Sequence, residues 1–278
     1  MLPAVTRDAF QRFLRWVVDE ELERPDKHRI ARDLATAVSR LIDAAGDLAG
    51  RRVLDLGSGT GVVAAAAVDR GAAAVVALDL DVDALRRGRA VARRLGAARL
   101  SVRADARAAP FRDASFDASL HRGVLVAVDR PATVAAGERR ILRPGGRVSC
   151  SVTLGAEVDL VSEDPGLTRV WRGLRETLAG AESPAFTERG LIDLYAGAGF
   201  DQVQVERWDR TVGLDDGDAV ARAFVAGPVL GAPPRVAWER AGIPGGLLDE
   251  FLARLLLEAE RGSPARLVAP EAFLTARR

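Results

Sequence analysis

The chain has no asparagine, one cysteine, one tyrosine, two histidines and a single lysine, Lys27; every other basic residue is arginine. The lone Cys150 excludes an intramolecular disulfide. It stands between Ser149 and Ser151 in a strand-like run, where a buried structural thiol is expected. The near absence of lysine and asparagine fits a GC-rich coding sequence better than any chemical need. Forty basic residues face 39 acidic ones, a net charge of +1. That balance gives no electrostatic reason to expect nucleic acid as a partner. No segment has a signal-peptide layout and no apolar run reaches membrane-spanning length, so a soluble cytoplasmic protein without a membrane partner is expected. At 278 residues and 48% hydrophobic, the chain can bury a substantial core, as one large domain with a cap.

What is present is concentrated in Val53-Leu54-Asp55-Leu56-Gly57-Ser58-Gly59-Thr60-Gly61. This reads as a buried strand entering a glycine-rich turn, followed by a small-residue helix, Val62 to Val68. Glycines let backbone N–H groups approach a ligand closely, and a helix N-terminus behind them favours negative charge. A nucleoside-containing cofactor is the expectation; a purely structural turn is the alternative. The spacing is G-x-G-x-G, with Val62 where a dinucleotide fingerprint wants a third, later glycine. A second apolar run, Ala74 to Leu78, is closed by Asp79, whose carboxylate can accept from both hydroxyls of a ribose. The plainer alternative for Asp79 is a turn acid before the helix from about Asp83. A third strand, Arg99 to Ala104, is closed by Asp105, which could equally be a solvated loop acid. A fourth strand runs from Phe116 to His121. Arg143-Pro144-Gly145-Gly146 reads as a turn before a fifth, Arg147 to Thr153.

V-L-D-L-G-S-G-T-G, L-D-L-D, R-A-D-A with Pro110-Phe111, F-D-A-S-L and L-R-P-G-G occur in one order over 53–153. Together they resemble the class I S-adenosylmethionine-dependent methyltransferases. The resemblance is to the small-molecule branch that includes ubiquinone and menaquinone biosynthesis methyltransferases (methyltransferase type 11). It implies S-adenosyl-L-methionine as cofactor and S-adenosyl-L-homocysteine as product. It also implies that Asp55, Gly57, Ser58, Gly59 and Gly61 line the methionine part, and that Asp79 binds the ribose. Leu80 would pack on the adenine. Asp105 would accept from the adenine amino group, with the Ala106 backbone beside it.

The expected fold is α/β. It is a Rossmann-like, doubly wound, seven-stranded, mostly parallel sheet with helices on both faces. The whole of 1–278 reads as one methyltransferase domain. Residues 1–50 form an N-terminal helical cap, with helices from about Thr6 to Glu23 and His28 to Ala45. Residues 51–153 form the cofactor-binding core, and 154–278 the acceptor-side half. In that half, helices are expected over Pro165–Leu178 and Thr187–Ala196. A sixth strand follows over Gln202–Trp208, and a last one over Ala272–Ala276. A helical insertion at about 212–265, with patterns at Asp218–Val225, Pro234–Arg240 and Leu247–Ala259, reads as a lid over the acceptor site or, alternatively, a dimerisation element. A monomer or a homodimer fits equally. Arg86, Arg87, Arg89, Arg93 and Arg94 read as the solvated face of the helix from about Asp83.

The end of the fourth strand, His121-Arg122-Gly123, is where this fold places groups beside the transferable methyl. An imidazole there can take an acceptor proton, so His121 is a candidate general base or acceptor-orienting group. The alternative is a ring that only stacks on the cofactor or bonds the backbone. Arg122 is a candidate anchor for a carboxylate or phenolate, or else a surface residue. His28 could face the pocket from the cap. Without asparagine, the N-P-P-[YF] signature of nucleobase amino methylation cannot exist, nor can the usual Asp-Asp-Asn metal site of catechol-type enzymes. No metal is therefore expected. A small organic acceptor, methylated on oxygen, carbon or nitrogen, is what remains. Phe10, Phe13, Trp16, Trp171, Tyr195 and Trp238 could line its apolar pocket or be plain core. The alternatives of another class keep the cofactor but catalyse a cyclisation or rearrangement, or serve as a non-catalytic binding module.

Overall fold

A computed structural model describes residues 8–21, 27–95, 99–179, 186–221, 243–262 and 264–278. The chain divides into two compact units. One comprises Met1–Ser151, Leu191–Glu206 and Phe273–Arg278; the other comprises Val152–Gly190 and Arg207–Ala272. The strands are β1 Arg52–Leu56, β2 Ala74–Asp79, β3 Leu100–Arg103, β4 Phe116–Arg122, β5 Leu142–Thr153, β6 Asp159–Val161, β7 Asp201–Gly213 and β8 Arg266–Arg277. They hydrogen-bond in the order β3-β2-β1-β4-β5-β8-β6, with β7 on β8.

In the first unit, β3, β2, β1, β4 and β5 pair in parallel throughout. The order reverses between β1 and β4, which opens a crevice beyond their carboxyl ends. Val53, Leu54 and Leu56 of β1 are buried, as a strand covered on both faces requires. Helix α3 (Val62–Asp69) buries four alanines and both flanking valines, Val63 and Val68, so it packs closely on the sheet. Helix α4 (Val82–Leu95) buries Leu85, Gly88, Val91, Ala92 and Leu95 at helical spacing and leaves its arginines outside. Helix α5 (Pro131–Ile141) starts on a proline, which loses no hydrogen bond there. Helix α1 (Ala9–Trp16) continues as a π-helical turn over Val17–Glu21, and α2 spans Lys27–Ala45.

The second unit has a core of its own. Leu167, Trp171 and Leu174 of α6 (Pro165–Ala179) cluster with Leu248, Phe251 and Leu255 of the helix over Gly245–Glu260. Trp171 and Phe251 stack with ring centroids 5.8 Å apart. At 160 and 267 two leucines pair where β6 runs antiparallel to β8.

The expected architecture holds, with four differences. Among the described residues there are eight strands rather than seven, because three-residue β6 is too short to leave a periodic signal. β5 begins at Leu142, so Arg143–Gly146 is an irregular stretch within the strand, where its register against β4 shifts between Phe116 and Ala118. β7 and β8 are longer than expected, which leaves only residues 214–265 between them. Helix α7 (Glu188–Gly197) matches its expected place, and the first insertion pattern corresponds to α8 (Gly217–Ala221) and the third to α9 (Gly245–Glu260). The pattern at 234–240 lies outside the described residues. The expected first helix changes to π geometry after Trp16. No helix among the described residues is long and apolar enough to cross a membrane.

Candidate functional site

The glycine turn leaves β1 with Gly57, Gly59 and Gly61 all at positive φ (63°, 51° and 92°). Glycine is needed at 57 for a second reason. A Cβ there would sit 2.3 Å from a Val124 methyl. Asp55, 1% exposed, accepts the Ala64 N–H at 2.9 Å in the first turn of α3. Burial pushes its carboxyl up to about 7, against the pull of Arg99 and of that hydrogen bond. Asp55 therefore fastens the turn from inside. Neither it nor Ser58, Gly59 or Gly61 lines the cavity described next. Ser58 is buried, and its backbone N–H bonds Leu78 O at 2.9 Å.

The carboxyl ends of β1, β2, β3 and β4 surround a cavity of about 690 Å3. Its lining includes Gly57, Asp79, Leu80, Asp105, Ala106 and Arg122, six of the residues singled out from sequence. Asp79 accepts the N–H of Gly59 at 2.6 Å on one oxygen and that of Asp81 at 2.9 Å on the other. A carboxylate has about four acceptor positions, so two remain for a pair of hydroxyls. Leu80 is 60% exposed, an apolar surface at the cavity wall. Asp81 begins α4, accepting the N–H groups of Asp83 and Ala84. These two bonds hold its carboxyl below the usual range.

Asp105 is engaged more heavily than its motif suggests. Arg107 gives it Nη2 at 2.6 Å, Nε at 3.0 Å to each oxygen and its own N–H at 2.8 Å. These bonds hold the Asp105 carboxyl down at about 2. The far side of the guanidinium reaches Asp129 at 2.5 Å. Arg107 and Asp129 both line the cavity and were missed from sequence. Arg107 lies two residues after Asp105, a spacing that could have been read; Asp129 is linked only through the fold.

His121 is placed differently from the expectation. Neighbouring strand residues point to opposite faces, so 121 and 122 diverge. Arg122 lines the cavity, whereas His121 is 0% exposed and does not. The imidazole Nε2 lies 3.0 Å from the Tyr195 hydroxyl and 3.6 Å from Glu138. Tyr195 donates to Glu138 at 2.8 Å, and Ser119 donates to the other Glu138 oxygen at 2.7 Å. With the phenol proton on Glu138, Nε2 is the donor to the tyrosine oxygen. Burial alone would push the imidazole down. The negative charge of Glu138 and the Cys150 sulfur outweigh it and hold His121 up at about 10. Burial, with Cys150 and Glu138 beside it, pushes Tyr195 well above its ordinary value, so the phenol stays neutral. His121 thus belongs to a buried polar knot and does not line the cavity. Glu138 carried no sequence signal, and Tyr195 was read only as a pocket or core aromatic, not as a partner of His121.

Other candidates also separate. His28 is exposed on α2 and absent from the cavity wall. Phe10, Phe13, Trp171 and Tyr195 are buried as core, and Trp16 packs edge-on against Phe13. Trp238 lies outside the described residues. Cys150 is buried and free, as expected.

Residues 54–150 match the family described as a methyltransferase domain. An uncharacterized methyltransferase of Mycobacterium marinum is 36% identical over 154 residues, 53% of this chain and 59% of the relative. A demethylmenaquinone methyltransferase of Renibacterium salmoninarum is 37% identical over 108 residues, 39% of this chain and 44% of the relative. The chain thus spans little more than half the length of the first of these relatives and less than half of the second. Among solved structures, an S-adenosylmethionine-dependent methyltransferase from Mesorhizobium loti superimposes with a TM-score of 0.52 at 20% identity. That match covers 86% of this chain and 96% of the other, and the likeness is one of fold. The recognised resemblance to methyltransferases is therefore correct for the core.

Proposed function

We propose that this chain transfers a methyl group from S-adenosyl-L-methionine to a small organic acceptor without a metal ion, releasing S-adenosyl-L-homocysteine. The observation that carries this is one cavity gathering Gly57, Asp79, Leu80, Asp105 and Ala106, five residues picked from sequence for the same cofactor. Its size lies within the roughly 300–1,000 Å3 of small-molecule sites. The two spare acceptor positions of Asp79 suit a ribose diol, the bare Leu80 suits a flat apolar ring, and Gly57 leaves room beside Val124. The cofactor supplies an electrophilic methyl on a sulfonium. The chain binds, orients and excludes water.

Arg122 holds an anionic or phenolic oxygen of the acceptor at the cavity wall. His121 acts through position, with Glu138 and Tyr195 fixing the end of β4 that carries Arg122. A quinone-like or secondary-metabolite acceptor fits the apolar character of the wall formed by Leu78, Val124, Ala127 and Val128. The protein acts as a soluble monomer or homodimer.

Calorimetric titration with S-adenosylmethionine, S-adenosylhomocysteine and NAD tests the cofactor. Micromolar binding of the first two and none of NAD is expected. Binding of NAD alone would overturn the reading. A product heavier by one methyl separates transfer from cyclisation or rearrangement, where no mass is gained.

A further inference from the structure

The geometry points to Arg99 as the positioning residue of the glycine turn: its guanidinium fork pins two consecutive turn carbonyls, and two glycines exist to admit it. This deepens the proposed cofactor reading and rests on it for its ligand. Arg99 stands just before β3, far from the turn in sequence. Its Nη2 donates to Thr60 O at 3.0 Å and its Nη1 to Gly61 O at 3.1 Å. Gly61 O also accepts the Ala65 N–H at 3.0 Å, as the first hydrogen bond of α3. A planar fork matches two adjacent acceptors; a lysine ammonium presents a single point charge.

The space around the fork is made by absent side chains. A Cβ on Gly61 would lie 1.5 Å from Nη1, on a residue that already has φ 92°. A Cβ on Gly88 would lie 2.3 Å from Nη2 and 2.7 Å from the Thr60 carbonyl oxygen itself. Gly88 sits in the interior of α4, where glycine is less favourable than alanine. The close approach of α4 to the turn explains it. Arg99 also draws the buried Asp55 toward its charged form, so one side chain supports the turn by two routes.

The consequence for binding follows from peptide geometry. In a trans peptide the N–H lies opposite the C=O. Pinning the Gly61 carbonyl toward Arg99 therefore turns the Val62 N–H the other way. Val62 begins α3, so its N–H has no partner within the helix and is available to a ligand. Arg99 touches no residue of the cavity wall through these bonds; it acts through the backbone it holds.

The test is amide hydrogen exchange across residues 58–66 in the protein without ligand, paired with titration of S-adenosylhomocysteine, for wild type, Arg99→Met, Arg99→Lys and Gly88→Ala. Arg99→Met should speed exchange of the Gly61 and Ala65 amides and weaken binding roughly tenfold or more. Arg99→Lys should fall between it and wild type. Gly88→Ala should reproduce the defect with Arg99 intact. Millimolar guanidinium should restore binding to Arg99→Ala, which a purely structural loss would not allow. Should Arg99→Met fail to fold, the Lys and Gly88 variants decide. Wild-type exchange and affinity in those variants would overturn the proposal. If wild type binds no S-adenosylhomocysteine, the cofactor reading fails, and exchange alone then decides the brace: faster supports it, unchanged overturns it.

Discussion

Two polar regions of the first unit handle charge in opposite ways. At the carboxyl ends of β1, β2 and β3, Asp55, Asp79 and Asp105 each take backbone N–H groups from within about 20 residues of chain. Behind β4, His121, Glu138 and Tyr195 bond one another across separations of 57 and 74 residues, all three buried. The first kind of site is written locally, as an acid at a strand end beside a glycine turn. The second is written only in the packing of α5 and α7 on the sheet. The first is open to a ligand. The second holds a strand end in place.

The largest expected effect would separate them on stability. Glu138→Ala leaves a buried tyrosine, serine and imidazole without their acceptor, and should cost about 3–5 kcal/mol in chemical denaturation. Binding of S-adenosylhomocysteine to the folded protein should be unchanged. A cost below ~1 kcal/mol would show that the knot is not a stabilising unit. Asp79→Ala should do the reverse, weakening S-adenosylhomocysteine binding by about 1–3 kcal/mol in titration. Unchanged affinity would remove Asp79 from the ribose.

A third prediction uses pH. Asp55 and His121 both have folded values above their ordinary ones of 3.8 and 6.5. Each binds a proton more tightly when folded, so each contribution is present below the ordinary value and lost as pH rises through the folded one. For Asp55 the window runs from 3.8 to about 7, and for His121 from 6.5 to about 10. Asp55→Asn should flatten the lower part of the stability profile, and His121→Gln the upper part. Parallel profiles for either variant and wild type would contradict that assignment. The smallest effect belongs to the exposed Arg107 pairs. Arg107→Ala should leave the melting temperature close to that of wild type, because water screens both partners. A marked drop would mean that the Asp105–Arg107–Asp129 chain is structural.

The sequence was legible where chemistry is local. Gly57, Asp79, Leu80, Asp105 and Ala106 met in one cavity because each sits at a strand end, and the alternation of strands and helices brings those ends together. Arg122 joined them for the same reason. His121 did not, since one residue along a strand reverses the face, and motif position alone does not say which face is open. Arg99, Glu138 and the link of Tyr195 to His121 were illegible because the partners lie far away in the chain. β6 escaped notice because three residues carry no period.

The central claim is that the cavity at the ends of β1 to β4 holds the methyl donor. A crystal structure of the protein grown with S-adenosylhomocysteine tests it most directly. The account predicts the ribose hydroxyls on Asp79, the adenine against Leu80 and its amino group toward Asp105. A ligand bound elsewhere, or with its ribose away from Asp79, would contradict it.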